Sequence, residues 1–541
     1  TSPSNARALR QSVRKQAWEL AAELKPEPWQ DAAIRNLAQD QRSPMFIASV
    51  ADTPLDDVAQ QRLSLSPQDI AALGQAVAAS LSKGGDETSQ RQEVADICAA
   101  LTAAKRPLII AGTGCGSADI LQAAAAVAKA LCETGHQAML CLCVPEANSL
   151  GQAMLVAPDA PNLSALQQRA QAGEYETLVV LENDLFRRGT RAQIHRLLDS
   201  FREVIVLDGL DNDTTSAAHL ALPAANFAES EGTLVSLEGR AQRYYPVFPP
   251  QQERRPAWVW LLACMKEQER PTARHLHHFD DVTRDCAEKI PALAGITAAA
   301  PDLHYRNLGV KIPRQPSRYS GRTAMRANVS VHEPKQREDE ETPLAFTMEG
   351  LNRAQPAALL PWVWSPGWNS NQSVQKFQDH PGGALKGGSA GARLLTAGRN
   401  DATGLPDHPA PTAATPQQHT RAGHWQLVPR QRIFGSDELS ALSPPIAELT
   451  ESGFVEINST DAATLGVAHG DGLHIGDGLA TLEVRVNDSI VAGCAGYSAG
   501  HAGTDNLTPL ASVILSKAQG WHRRPQVIAR ERSSGQGGGH V

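Results

Sequence analysis

PLIIAGTGCGSADILQAAAAVAKALCETGHQAMLCLCV, residues 107–144, holds one complete strand–turn–helix–strand repeat. PLIIA (107–111) is a short β-branched apolar run. GTGCG (112–116) turns the chain, a helical apolar pattern covers 118–132, and AMLCLCV (138–144) is a second strand. Short apolar strands separated by helices are the mark of parallel β-structure.

The repeat extends in both directions. Upstream, MFIASV (45–50) reads as a strand, and SPQDIAALGQAVAASL opens a helix with Ser66 as N-cap, Pro67 at the first helical position and Asp69 at capping-box spacing. A helix at about 88–104 follows. Downstream, a helix near 163–171 leads to TLVVL (177–181), a helix at 190–200 to EVIVL (203–207), and HLALPA (219–224) is a last short strand. The expectation is a doubly wound α/β domain whose parallel sheet is covered on both faces. GTGCG sits where a dinucleotide fingerprint would sit, but Ser117 stands in for its third glycine and no acidic residue closes a strand about twenty residues on. It reads as a tight βα turn; an independent nucleotide-binding module is the weaker alternative.

The chain has 541 residues, which at about 150 per domain suggests three or four domains. A net charge of −8 and a pI near 6.1 argue against nucleic acid and against an anionic membrane surface as partners. No apolar run reaches the ~20 residues that span a bilayer, since LQAAAAVAKAL is broken by Lys129. The chain starts at Thr1 inside a helical pattern (Leu9, Val13, Ala17, Leu20, Ala21, Leu24), so we expect a piece of a longer polypeptide. Cysteines fall at 98, 115, 132, 141, 143, 264, 286 and 494 with no CxxC pair. Cys141 and Cys143 share one strand face but do not make the four-thiolate set of an iron–sulfur cluster. These are expected to be reduced thiols of a cytosolic protein, and no metal site is expected.

Beyond 250 the pattern loosens. A helical segment spans about 256–268, HLHH (275–278) lacks partner ligands at a supporting spacing, KQREDEE (335–341) reads as a solvated loop, and 381–418 reads as a Gly/Ala/Pro linker. A compact unit starts near Ile433. In it GFVEINSTDAATLGVAHGDGLHI (453–475) gives strand, helix and strand, with Ser459 or Thr460 as cap, Asp461 at the positive helix end and Gly466 as the left-handed stop. LATLEVRVND (479–488) alternates as a half-buried strand. The expected division is 1–250 (α/β), 251–430 (irregular connection), 431–525 (barrel) and 526–541 (disordered tail).

Between sheet and connection lies NFAESEGTLVSLEGRAQR (226–243). It resembles the ExEGTxxNxExRxQ pattern of the molybdopterin oxidoreductase superfamily at Glu229, Glu231, Gly232, Thr233, Glu238, Arg240 and Gln242. It departs from that pattern at Ser236, where Asn is usual, and at Gly239, where the formate dehydrogenase branch has Arg. INSTDAATLGVAHGDGL resembles the superfamily's double-psi β-barrel at Asn458, Asp461, Ala462, Gly466, Gly470 and Asp471. RYSGRTAMRANVSVHEP (318–334), TMEG (347–350), PWVWSPGWNSNQSVQKFQ (361–378) and FGSDELSALSP (434–444) resemble a narrower branch, the large iron–sulfur subunit family of bacterial NADH:quinone oxidoreductase, respiratory complex I.

This resemblance implies an α/β doubly wound domain of molybdopterin-oxidoreductase type followed by a double-psi barrel. In that family [2Fe-2S] and [4Fe-4S] clusters are bound by an N-terminal region, so no cluster ligand carries over to any position here and no cofactor or catalytic residue is expected in this stretch. Glu231, Gly232, Thr233, Glu238, Gly239 and Arg240 would be a vestigial pterin loop, with Arg240 paired to Glu231 or Glu238 as a latch between sheet and barrel. The implied partners are other peripheral-arm subunits, including the NADH-binding flavoprotein, at the cytoplasmic side of the bacterial inner membrane without direct insertion. Trp362, Trp364 and Trp368 read either as an interface anchor or as a loop packed on its own domain. The alternative is a live molybdopterin enzyme such as a formate dehydrogenase, which needs a metal-ligating side chain upstream and a nearby acid/base.

Overall fold

A computed structural model describes residues 3–22, 31–39, 41–82, 91–157, 159–300, 346–347, 350–351, 391–395 and 423–521. The segments 318–334, 335–341, 361–378 and the tail singled out above lie outside the described residues, as does most of 381–418.

Helices α1 (Pro3–Ser12), α2 (Lys15–Ala21) and α3 (Asp31–Ala38) come first, with Ala17, Ala21, Ile34 and Ala38 closing a small core. Strands β1 (Phe46–Ser49) and β2 (Gln61–Ser64) form a parallel pair, β2 being a strand the sequence reading missed. Helix α4 (Pro67–Ser82) starts as expected: the Ser66 hydroxyl accepts from the Asp69 N–H at 3.2 Å.

After α5 (Gln92–Ala103), the quoted repeat folds as β3 (Leu108–Gly112), α6 (Ala118–Glu133) and β4 (Met139–Cys143), with β3 and β4 parallel and Leu108 opposite Met139. Helices α4 and α6 cross closely at Gly74, where a Cβ would stand 2.9 Å from that of Ala123. Ile109 packs with α4, α5 and α6 around Leu73, Val77 and Leu131. Helix α7 (Ser149–Leu155), also unanticipated, and α8 (Leu163–Gln171) lead to a second parallel sheet. This sheet comprises β5 (Thr177–Leu181), β6 (Glu203–Asp208) and β7 (Leu220–Pro223), with α9 (Arg191–Leu198) between β5 and β6 and the short α10 (Asp213–Ser216) before β7. Thr190 and Gln193 form a full capping box on α9, and Val180, Val204, Val206, Ile194 and Leu197 make the core.

Two points differ from expectation. Strands β3–β4 and β5–β6–β7 are separate hydrogen-bonded sheets. Their helices cover one face each, and Ile110, Val179, Leu181 and Leu220 on the other face are exposed among the described residues.

A hairpin follows, β8 (Gly232–Val235) and β9 (Arg240–Tyr244), then α11 (Ala257–Glu267) and α12 (Phe279–Lys289). The short strands β10 (Phe346–Thr347) and β11 (Gly350–Leu351) pair with each other, and β12 (Ala392–Arg393) adds to β9.

The last sheet is a nearly closed, mixed barrel. Its strands are β13 (Trp425–Arg430), β14 (Phe454–Ile457), β15 (Gly472–Ile475), β16 (Ala480–Val486), β17 (Cys494–Ser498), β18 (Ser512–Val513) and β19 (Leu515–Lys517), in the order β18-β13-β17-β14-β16-β15-β19. It draws on β13, ahead of the expected start at 431. Leu427, Val455, Ile457, Leu473, Ile475 and Val484 fill it. The barrel abuts the first half of the chain: the Val491 N–H donates to the Val50 carbonyl at 3.0 Å, and Val50, Ala51, Val428, Ile490 and Cys494 share one apolar cluster.

Candidate functional site

The Glu-Gly-Thr…Glu-Gly-Arg loop enters through an Asx-type turn. Asn226 Oδ1 accepts from the Ala228 N–H at 2.9 Å, and Glu229, whose side chain is 1% exposed, pairs with Arg254 at 2.8 Å. The chain then becomes the β8–β9 hairpin. Gly232 faces Tyr244 across the ladder, and a Cβ on Gly232 would stand 2.5 Å from the Tyr244 ring. Gly239 takes φ +71° in the turn, where a Cβ would meet that of Leu395 at 2.5 Å. The close approach these glycines permit is therefore occupied by the chain's own side chains.

The charges follow the hairpin register. Glu231 pairs with Arg243 at 2.7 Å, and Arg243 also reaches Asp280 of α12 at 2.8 Å. The Arg243 side chain is 7% exposed, and its guanidinium lies over the Phe279 ring at 4.5 Å and the Tyr245 ring at 5.2 Å. Arg240, expected to pair with Glu231 or Glu238, pairs with Glu238 at 3.8 Å, while Glu231 is taken by Arg243. Its place at the turn end of β9, with its carbonyl accepting from the Ser236 N–H, keeps it away from Glu231. The latch is Arg243, and it joins the hairpin to α12, where the expectation was sheet to barrel. Thr233 Oγ1 is buried without a hydrogen-bond partner among the described residues.

The barrel residues that carry the resemblance hold the barrel together. Asn458, the observed N-cap in place of Ser459 or Thr460, accepts from the Thr460 N–H at 3.0 Å and donates to the Ile490 carbonyl at 2.9 Å. Asp461 accepts from the Gly493 N–H at 2.8 Å. Ala462 is buried, and Gly466 and Gly470 take φ of +63° and +91°. Asp471 accepts from Lys517 at 2.7 Å and from the Ala468 N–H at 2.9 Å, which hold its carboxyl below the usual range.

The GTGCG turn is closed by the barrel. Gly116 has φ +71°, and a Cβ there would stand 2.6 Å from the Pro509 side chain. Ser117 at the start of α6 is buried. A pyrophosphate resting on that helix end would collide with the Pro509 loop, so the nucleotide-module reading loses its geometry. HLHH serves as a helix start: the His277 and His278 N–H groups donate to Asp281 at 3.0 Å each, and with Arg284 they lower that carboxyl to about 2. Among the described residues no group of three or more His, Cys, Asp or Glu is placed to hold a metal ion.

One feature the sequence reading missed lies at the carboxyl ends of β5 and β6, the place where open α/β sheets take ligands. Glu182, at φ +46°, is raised by loss of hydration and by Asp208. Arg187 of the following turn reaches across to the Ser436 carbonyl at 2.8 Å and ties this end of the sheet to the entrance of the barrel. The signal available in the sequence was an acid closing each strand, LENDL after β5 and LDGLD after β6.

Comparison with known proteins gives concordant results. Residues 88–266 match the molybdopterin oxidoreductase family. The G subunit of NADH-quinone oxidoreductase from Pseudomonas fluorescens is 41% identical over 521 residues, covering 93% of this chain and 56% of that protein. The corresponding G subunit of Escherichia coli K12 is 38% identical over 514 residues, covering 92% of this chain and 55% of that protein. The chain thus spans little more than half the length of these relatives. Acetylene hydratase from Pelobacter acetylenicus overlays with a TM-score of 0.46 at 11% identity, over 87% of this chain and 68% of that one, a likeness too loose to assign chemistry.

Proposed function

The chain belongs, over the 93% of its length that aligns, to the family of NADH-quinone oxidoreductase G subunits, and from that premise we propose that it is the C-terminal scaffold portion of one such protein. In this reading electrons pass from NADH through flavin and iron–sulfur clusters toward quinone in other parts of the assembly. [2Fe-2S] and [4Fe-4S] clusters of the parent subunit are bound by an N-terminal region, and this stretch holds neither cluster nor pterin and contributes no catalytic residue. Its partners are the other peripheral-arm subunits, among them the NADH-binding flavoprotein, on the cytoplasmic side of the inner membrane. No helix among the described residues is long and apolar enough to cross a membrane, which is compatible with a peripheral position. The barrel is read as double-psi, and the chain divides at 250 and 525, with the start of the barrel moved back from 431 to β13 at Trp425.

The observation that carries this reading is the state of the pterin-loop motif. Gly232 accommodates Tyr244, Gly239 accommodates Leu395, and Glu231 is engaged by Arg243. Groups held by the chain's own side chains are not free to meet a cofactor, and fold likeness alone does not establish chemistry, which favours the scaffold reading over the formate dehydrogenase alternative.

Exchanging Glu231→Gln and Thr233→Ala in the full-length protein tests the proposal. NADH-to-quinone turnover per assembled complex should stay at the parental value, while the amount of assembled complex falls with any loss of stability. A drop in turnover per complex at unchanged assembly would show that the motif takes part in chemistry.

A further inference from the structure

Cys141 and Cys143 alternate with Leu140 and Leu142 along β4, so both thiols leave the same face of the strand. In the parallel ladder Ile109 pairs with Leu140 and packs toward α4 and α6, which puts Cys141 and Cys143 on the opposite face beside Ile110 and Gly112. That face is partly open among the described residues: Leu108 is 40% and Met139 42% exposed, and both cysteines are half-buried. Gly112 is the register partner of Cys143, and a Cβ there would stand 3.2 Å from the Cys143 Cβ, so β3 sets no side chain against that sulfur, which accepts from the Asn5 amide of α1 at 4.0 Å.

The two thiols are next neighbours on that strand face. After burial, the nearby Cys143 is the main influence raising the Cys141 thiol, with Glu238 adding to it. A direct S–S bond is a poor fit. Same-face positions on a strand lie about 6.6 Å apart, whereas a disulfide wants its Cβ atoms about 3.5–4.5 Å apart. Closing it would bend β4 out of its ladder with β3. A bridging atom removes that demand, because each sulfur then bonds to the bridge and the strand keeps its spacing.

We propose that Cys141 and Cys143 form a dithiol site that chelates trivalent arsenic in preference to closing a disulfide. With an organoarsenic(III) oxide, both S–H bonds break and two S–As bonds form. The arsenic-bound oxygen leaves with both protons as water, and no atom changes oxidation state. The other neighbouring pair, Cys115 with Cys494, does not compete. It lies in the apolar seam under the barrel, where burial pushes the Cys494 thiol up to about 12.

Phenylarsine oxide and the full chain provide the test, read by intact mass spectrometry with glutathione in excess so that single-thiol adducts are stripped. The expected result is one adduct per chain, removed by dimercaptopropanol, abolished by Cys141→Ser and by Cys143→Ser, and retained by Cys115→Ser. Proteolytic mapping reads the same outcome without a variant: the arsenic mass should fall on the peptide containing 139–143. No glutathione-resistant adduct on the unsubstituted chain, an adduct that survives either of the two exchanges, or its mapping to another peptide would overturn the proposal.

Discussion

Glu231 has two arginines within its own hairpin, and the ladder register selects between them. Gly232 opposite Tyr244 brings Arg243 beside Glu231 and leaves Arg240 at the turn. Arg243→Ala would take away the guanidinium that neutralises Glu231 and Asp280, both mostly buried carboxylates, and should cost on the order of 3–5 kcal/mol. Arg202→Ala, which breaks a solvent-exposed pair with Glu176 at 3.8 Å, should cost about 1 kcal/mol or less. Denaturant titration of the two variants checks the ranking, and equal losses would contradict the assignment of the latch. A second residue sets a pH dependence. His501 is 2% exposed and faces the Ala499 carbonyl; burial, followed by Arg432, lowers its pKa. The folded chain therefore favours neutral His501, a contribution present above the unfolded value of about 6.5 and lost as pH falls through the folded value. Melting temperature should decline from pH 7.5 toward pH 5.5, and less steeply in His501→Gln. An identical slope in the variant would place the pH dependence elsewhere.

At the scale of elements, local signals were legible where a single turn of backbone decides the outcome. Ser66, Pro67 and Asp69 announced α4, and Gly466 stops the helix Ser459–Leu465 with positive φ, whereas the Thr190–Gln193 capping box of α9 went unread. What stayed hidden depends on distant partners. The choice of Asn458 over Ser459 as cap is fixed by its second bond to Ile490 in a different part of the barrel. The partner of Glu231 needed the hairpin register, and β2 became a strand because β1 was there to pair with it. The GTGCG turn shows the same division: its shape was readable, but its cover, Pro509, comes from the far end of the chain. Gly116→Ala forces a Cβ into both a left-handed backbone and that proline, and should destabilise the seam by about 1–3 kcal/mol. Limited proteolysis should then cut more readily between the sheet and the barrel, and unchanged cleavage would mean that the turn and the barrel are not in firm contact.

For the whole molecule, three parallel sheets (β1–β2, β3–β4 and β5–β6–β7) and a mixed barrel make up the described framework, with the barrel joined to the end of β1 by the Val491–Val50 backbone bond and by the apolar cluster around Cys494. The motifs that carry the resemblance bind the chain's own parts together: β8 to β9, the hairpin to α12, and helix Ser459–Leu465 to the loop between β16 and β17. Fold and chemistry are separable here, because the same glycines and carboxylates that can approach a cofactor can equally admit a tyrosine ring or neutralise an arginine. We propose that this chain keeps a molybdopterin-type architecture with its cofactor loop turned to structural use. Metal analysis of the purified full-length protein, combined with pterin fluorescence after denaturation, tests it most directly. The account predicts iron without stoichiometric molybdenum or tungsten and no pterin signal; one molybdenum or tungsten per chain accompanied by released pterin would contradict it.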